Sequence, residues 1–357
     1  MMYHILAINP GSTSTKIALY ENEQERWKES LEHSHQELTQ YERISDQYAM
    51  RKASILSVLE KHHVPLTTLS AIVGRGGLLP PVQSGAYEVN DAMVHRLRTN
   101  PVAEHASNLG AIIAREIARP LGIPAYIYDP VSVDELHDVA RISGWPELPR
   151  KSLIHALNMR AAALKTARAL DKPYAESRFI VAHLGGGITM SVHQHGKMID
   201  ILSDDEGPFS PERTGRVPCI ALARLCFSGK YTEQEIIKTL RGKGGLVAYL
   251  NTNKVTDIET MIREHDQEAI LLFDALAYQI AKGIGELATV LCGRIDRIVL
   301  TGGMAQSTRL TNLVKERVKF LAPVEILPGE NELEALALGA LRVLRGEEQA
   351  YQYREGF

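Results

Sequence analysis

The sequence predicts an α/β protein made of two duplicated domains. Three observations carry this. Apolar strand-like runs alternate with helical segments along the chain. A strand, a Gly/Ser-rich turn and a second strand fill residues 5–20, and the same plan returns at residues 179–192. The length of 357 residues exceeds the roughly 250–300 at which single cores stop growing.

Two strands flank the turn Asn9-Pro10-Gly11-Ser12-Thr13-Ser14-Thr15-Lys16. Residues 21–42, polar and charged, suit an outer hairpin strand and a loop, and a helix over 46–61 stops before Val64-Pro65. The short apolar strand 70–73 runs into Gly74-Arg75-Gly76-Gly77. A helix over 104–121 ends at Gly122-Ile123-Pro124, and strand 125–128 ends on Asp129-Pro130. Leu153, Leu157, Ala161 and Leu164 sit near helical spacing and predict a helix over 151–170. Strand 179–184, the turn Gly185-Gly186-Gly187 and strand 188–192 restate the opening plan, and His195-Gly196-Lys197 turns into a third strand over 198–201. A long helix over 268–291 leads into strand 297–301, which ends on Gly302-Gly303, and a last helix starts near Glu332. With no low-complexity linker, the boundary is placed near residue 150, giving domains 1–150 and 151–330 joined by structured crossings.

Composition narrows the function classes. Hydrophobic residues make up 45% and charged residues 23%, as in ordinary soluble proteins. A formal net charge of −3 gives no global argument for nucleic acid or membrane, so any anion site must be local. No apolar run of about 18 residues predicts a membrane span, and the N-terminus lacks a signal-peptide plan. Cys219, Cys226 and Cys292 have no metal-like spacing and read as reduced thiols of a cytoplasmic protein.

Chemistry gathers at the strand ends. The 9–16 turn offers backbone N–H groups, hydroxyls and Lys16 to a multiply charged anion, for which a nucleotide phosphate is the obvious candidate. An ordinary polar hairpin tip would share that composition. Glycine-rich turns also follow strands at 74–77, 185–187 and 302–303, where ligands of open α/β sheets sit. No GxxxxGK[ST] run exists, and the GxGxxA match at 283–288 lies inside a helical pattern, which argues against P-loop and dinucleotide enzymes. Arg75 sits between glycines immediately after a strand, Asp129 and His183 end strands, and Arg213 lies in a loop rich in acids and prolines; the guanidinium fork matches carboxylate and phosphate oxygens.

These residues carry a family resemblance. NPGSTSTK resembles the first phosphate motif of the acetate and sugar kinase, heat-shock chaperone and actin superfamily, HLGGG its second, and LTGG its adenosine motif. GRGG, HASNLGA, DEGPFSPERTG and PGENELEALALGALRVL together resemble the butyrate kinases of the acetokinase family, over residues 3–348. The resemblance implies two ribonuclease H-like (actin-like ATPase) domains with a nucleotide cleft between them, the first completed by a C-terminal helix over 331–357. It implies ATP/ADP and Mg2+ as cofactors and reversible in-line phosphoryl transfer to a short-chain carboxylic acid, giving an acyl phosphate. Partners are then the acid and the nucleotide, in a homo-oligomer, with no nucleic acid or membrane; the apolar face of helix 268–291 could serve the oligomer or the core.

Carried over residue by residue, Asn9, Ser12, Ser14 and Lys16 would contact phosphate and metal-bound water. Gly185, Gly186 and Gly187 would line the second phosphate turn, and Gly302 and Gly303 would pass close to adenosine. Arg75 and Arg213 would grip the substrate carboxylate or the moving phosphoryl group, with Asp129 as the active-site aspartate and His155 and His183 facing that group. The family's adjacent glutamates are replaced here by Glu330-Asn331-Glu332, and Glu332 is favoured over Glu330 for the metal. An acetate, propionate or sugar kinase and a non-catalytic actin-like switch are the rival readings. A sugar kinase would want hydroxyl readers, whereas two arginines suit an anionic acceptor.

Overall fold

The computed structural model describes residues 1–354; the end of the expected C-terminal segment, 355–357, lies outside the described residues. The chain divides into two compact units, Met1–Asp134 with the segment from Asn331 onward, and Glu135–Glu330. The first unit thus ends at Asp134 rather than near 150. The physical reason is local: Met198 N–H donates to the Glu135 carboxylate at 2.9 Å, and His137 N–H to the Ile199 carbonyl at 3.0 Å. Arg150 likewise pairs with Asp200 and Glu206 of the second unit.

In the first unit, β1 (His4–Pro10), β2 (Ser14–Glu21) and β3 (Gln24–Glu32) form an antiparallel meander. β4 (Ala71–Arg75) lies parallel to β1, and β6 (Ala125–Tyr128) parallel to β4, with β5 (Ala86–Glu88) antiparallel at the flank. The C-terminal ends of β1, β4 and β6 therefore share one edge of the sheet, which sets Asn9, Arg75 and Asp129 in a row. Helix Asn108–Ala118 packs Ile112 and Ile113 with Leu6, Ile8, Ile72 and Ile127 in one core.

That packing explains two glycines. A Cβ on Gly74 would lie 2.2 Å from the Gly110 carbonyl oxygen, so strand and helix touch backbone to backbone. Gly74 and Gly110, from the GRGG and HASNLGA motifs, are thus a packing pair that fixes where Arg75 emerges. Gly74→Ala is expected to cost about 1–3 kcal/mol by overpacking. Its melting temperature should fall clearly below that of the parent; an unchanged value would contradict the contact.

The second unit repeats the plan. β7 (Arg178–Leu184), β8 (Ile188–Gln194) and β9 (Lys197–Leu202) form the meander. β10 (Arg297–Gly302) runs parallel to β7, and β11 (Val324–Pro328) parallel to β10. The order β11-β10-β7-β8-β9 matches β6-β4-β1-β2-β3 strand for strand. Helix Gln267–Ala288 places Phe273, Leu276, Ile280, Ile284 and Leu287 in the core with Ile180 and Met190, so its apolar face is largely used within its own unit. The helix expected from 151 begins only at Ala156, leaving His155 just ahead of it with φ −80° and ψ 58°.

Candidate active site

In the first unit three expected residues meet. Arg75 Nη1 lies 2.9 Å from Glu332 Oε1 and 3.2 Å from Oε2, and 3.4 Å from Asn9 Oδ1. Asn9 Nδ2 donates to the same carboxylate. Glu332 opens helix Glu332–Leu344, where the N-terminal end of the helix dipole favours a carboxylate. The 9–16 turn leaves the side chains of Ser12, Ser14 and Lys16 without a protein partner among the described residues, and Lys16 pairs across the hairpin with Asn9. Asp129 is buried with φ +40°, and its carboxylate accepts the Gly85 N–H at 2.7 Å. A buried non-glycine residue in left-handed backbone is held there by its surroundings, a kind of strain that concentrates at functional positions.

His105, inside the HASNLGA motif, joins this group without having been singled out by the sequence. Burial first, and the Arg75 charge second, push its imidazole below the ordinary range. Its Nδ1 accepts the Ser107 N–H at 3.1 Å, which also holds the neutral ring.

In the second unit His155 and His183 stack face to face, with ring centroids 4.0 Å apart. His183 Nδ1 donates to Asn158 Oδ1 at 2.8 Å, while Asn158 Nδ2 donates to the Gly329 carbonyl at 3.2 Å. The amide thereby fixes the tautomer and points Nε2 the other way. That Nε2 is buried, makes no hydrogen bond, and lies 3.4 Å from Glu330 Oε1. An orphaned buried imidazole nitrogen is costly unless a ligand completes it. His155 Nδ1 lies 2.9 Å from Thr189 Oγ1.

Arg213 packs flat on the glycine turn. A Cβ on Gly187 would fall 2.6 Å from its Cζ, so only glycine admits the guanidinium there. Asp204 anchors the other side of Arg213. The turn is stitched from behind: Ser210 Oγ donates to the Gly186 carbonyl at 2.6 Å and Glu212 N–H to the same oxygen at 3.2 Å. Gly302 has φ +90°, and a Cβ there would lie 2.4 Å from the Leu184 carbonyl. Gly303 has open space around it. Glu330 and Glu332 therefore part company: one faces His183, the other Arg75 and Asn9.

Two sheets share one strand order, each ending its central parallel strands on glycine turns, which is a duplicated α/β architecture. The fold is that of Porphyromonas gingivalis acetate kinase, with a TM-score of 0.77 at 18% identity, covering 93% of this chain and 98% of that one.

The chain belongs to the acetokinase family, whose model matches residues 150–337. It is 50% identical to butyrate kinase 2 of Clostridium acetobutylicum over 356 residues, covering 99% of this chain and all of the relative. It is 51% identical to a probable butyrate kinase of Clostridium botulinum over 355 residues, covering 99% of this chain and 100% of that protein.

Proposed function

We propose that this chain is an ATP-dependent kinase that phosphorylates the carboxylate of butyrate and its neighbours, reversibly, to give an acyl phosphate and ADP. The observation that carries the reading is half-identity to a butyrate kinase along the full length of both chains.

The chemistry agrees with the groups present. A carboxylate is already ionised at neutral pH, so no general base is needed. The obstacle is bringing one anion up to another and stabilising charge on the moving phosphoryl group. Arg75 and Arg213 supply positive charge in fork geometry. With its Nδ1 proton committed to Asn158, His183 offers Nε2 as an acceptor in the neutral ring and as a donor only as an imidazolium, with His155 stacked on it, and the glycine turns supply backbone amides. Asn9, Ser12, Ser14 and Lys16 would hold the donor phosphates, with Gly302 and Gly303 beside adenosine. Asp129 would orient groups at the same sheet edge as Arg75.

Asn9 and Glu332 stand side by side and offer one amide and one carboxylate. That donor set fits Mg2+, which takes one or two protein carboxylates and completes its shell with phosphate oxygens and water. When bound, the ion neutralises phosphate charge. Three free, exposed cysteines suit a reducing cytoplasmic setting. Self-association would cover Ile220, Phe227 and Tyr231, which are 68%, 91% and 48% exposed.

Chain-length selectivity should be loose, since a hydrophobic pocket gains only about 1–3 kcal/mol per methylene. In a kinetic ladder from acetate to hexanoate, butyrate, isobutyrate, valerate and isovalerate should overlap in kcat/KM within about 200-fold. Turnover confined to acetate or propionate would replace the acceptor assignment, and strong rejection of all acids but one would contradict the pocket argument.

A further inference from the structure

Arg51 lies inside helix Tyr48–Lys61 and is completely buried, yet no carboxylate among the described residues pairs with it. Its guanidinium grips the back of the phosphate turn instead. Nη1 donates to the Gly11 carbonyl at 2.8 Å, the Ser14 carbonyl at 3.0 Å and Thr15 Oγ1 at 3.1 Å. Nη2 donates to the Ser12 carbonyl at 3.1 Å, and Gln47 Oε1 takes the remaining face. The Thr13 carbonyl accepts the His33 N–H at 2.8 Å. Every carbonyl from Gly11 to Ser14 is therefore engaged by a donor, three of them by Arg51, while the amides of Ser12 and Thr13 donate to no protein acceptor among the described residues.

The electrostatics point the same way. Burial, and then the charge of Arg51, keep His33 below its ordinary range, so the neighbouring imidazole stays neutral. It meets Thr15 Oγ1 at 2.9 Å. One buried positive charge thus stands behind the turn with neutral partners only. Burying a charge without a counter-charge is unfavourable, and an anion on the open side of the turn would supply one.

We propose that Arg51 is a positioning residue for the phosphoryl donor: it locks the turn with its amides outward, and its unpaired charge is balanced by the polyphosphate of the bound nucleotide. This rests on reading the turn as the ATP phosphate site.

The test uses the full-length protein, titrated calorimetrically with ATP and with adenosine, without any acid. Arg51→Met should weaken ATP by about 10-fold or more, the scale of one lost charge-assisted interaction, while adenosine stays within about twofold. Arg51→Lys keeps the charge but not the fork, and should fall between, at about threefold or more for ATP. Unchanged ATP affinity in a folded variant, or parallel loss of ATP and adenosine, would overturn the proposal. If Arg51→Met does not fold, the same criteria applied to Arg51→Lys decide. A parent protein that binds ATP but phosphorylates no acid would sink the acceptor assignment and leave Arg51 standing; a parent that does not bind ATP would sink both.

Discussion

Arg75→Ala is expected to lower kcat by about 100-fold or more, the scale of losing one preorganised charge-stabilising donor. Arg75 emerges from the end of β4 at a height fixed by the Gly74–Gly110 contact, and Glu332 and Asn9 aim its guanidinium. In the proposed role, removing it would take away the positive charge that lets a carboxylate approach a phosphoryl group, and it leaves Glu332 without its Arg75 partner. Arg75→Lys restores the charge but not the planar fork, so it should recover only part of the rate. The measurement is steady-state kinetics on variants whose melting curves match the parent. Parent-like turnover in folded Arg75→Ala would remove Arg75 from the site.

Arg213→Ala should lose rate on the same scale, and Gly187 offers an independent way to move the same group. Because a Cβ on Gly187 would lie 2.6 Å from Arg213 Cζ, Gly187→Ala displaces the guanidinium without deleting it. It should reproduce most of the Arg213→Ala loss, and the double variant should be little worse than Arg213→Ala alone. Residues acting through one contact are non-additive. Fully additive losses would show that Gly187 acts independently of Arg213, and parent-like rates in Arg213→Ala would refute its role.

Much of this architecture was legible in the residues. The 9–16 turn and its echo at 183–187 were readable because apolar runs bracket glycine on both sides, and they do form β1–β2 and β7–β8. β11 was not legible: Val324–Leu327 is half-exposed edge strand, without the apolar density of the central strands. Yet that strand delivers Gly329 and Glu330 to His183. Helices Asp91–Thr99, Cys219–Cys226 and Thr308–Val318 were also not legible: Cys219–Cys226 follows Pro218 with no side-chain cap, and Thr308–Val318 mixes its apolar positions with Arg309, Lys315, Glu316 and Arg317. Arg51 was missed because Arg51-Lys52 reads as a solvated helix face. The signal was present in its spacing: Arg51, Ile55 and Leu59 stand at i, i+4 and i+8 on the buried stripe. A charged residue in register with an apolar face is a candidate for buried work.

Asn158 was beyond reach of pattern reading. Its role depends on where Ala156–Ala169 starts, and the helix begins later than the leucine spacing suggests. That shift frees His155 from the helix interior and lets its ring stack on His183. The chemistry of the site thus depends on a helix boundary, the feature that sequence periodicity fixes least.

Trapping the acyl phosphate shows whether this chain phosphorylates short-chain carboxylates. The purified protein is incubated with ATP, Mg2+, butyrate and hydroxylamine, which converts an acyl phosphate to a hydroxamate and releases phosphate. Butyryl hydroxamate is expected to form in step with ADP, and neither to form when butyrate is omitted. ADP release without hydroxamate, from butyrate or any acid of the ladder, would contradict it.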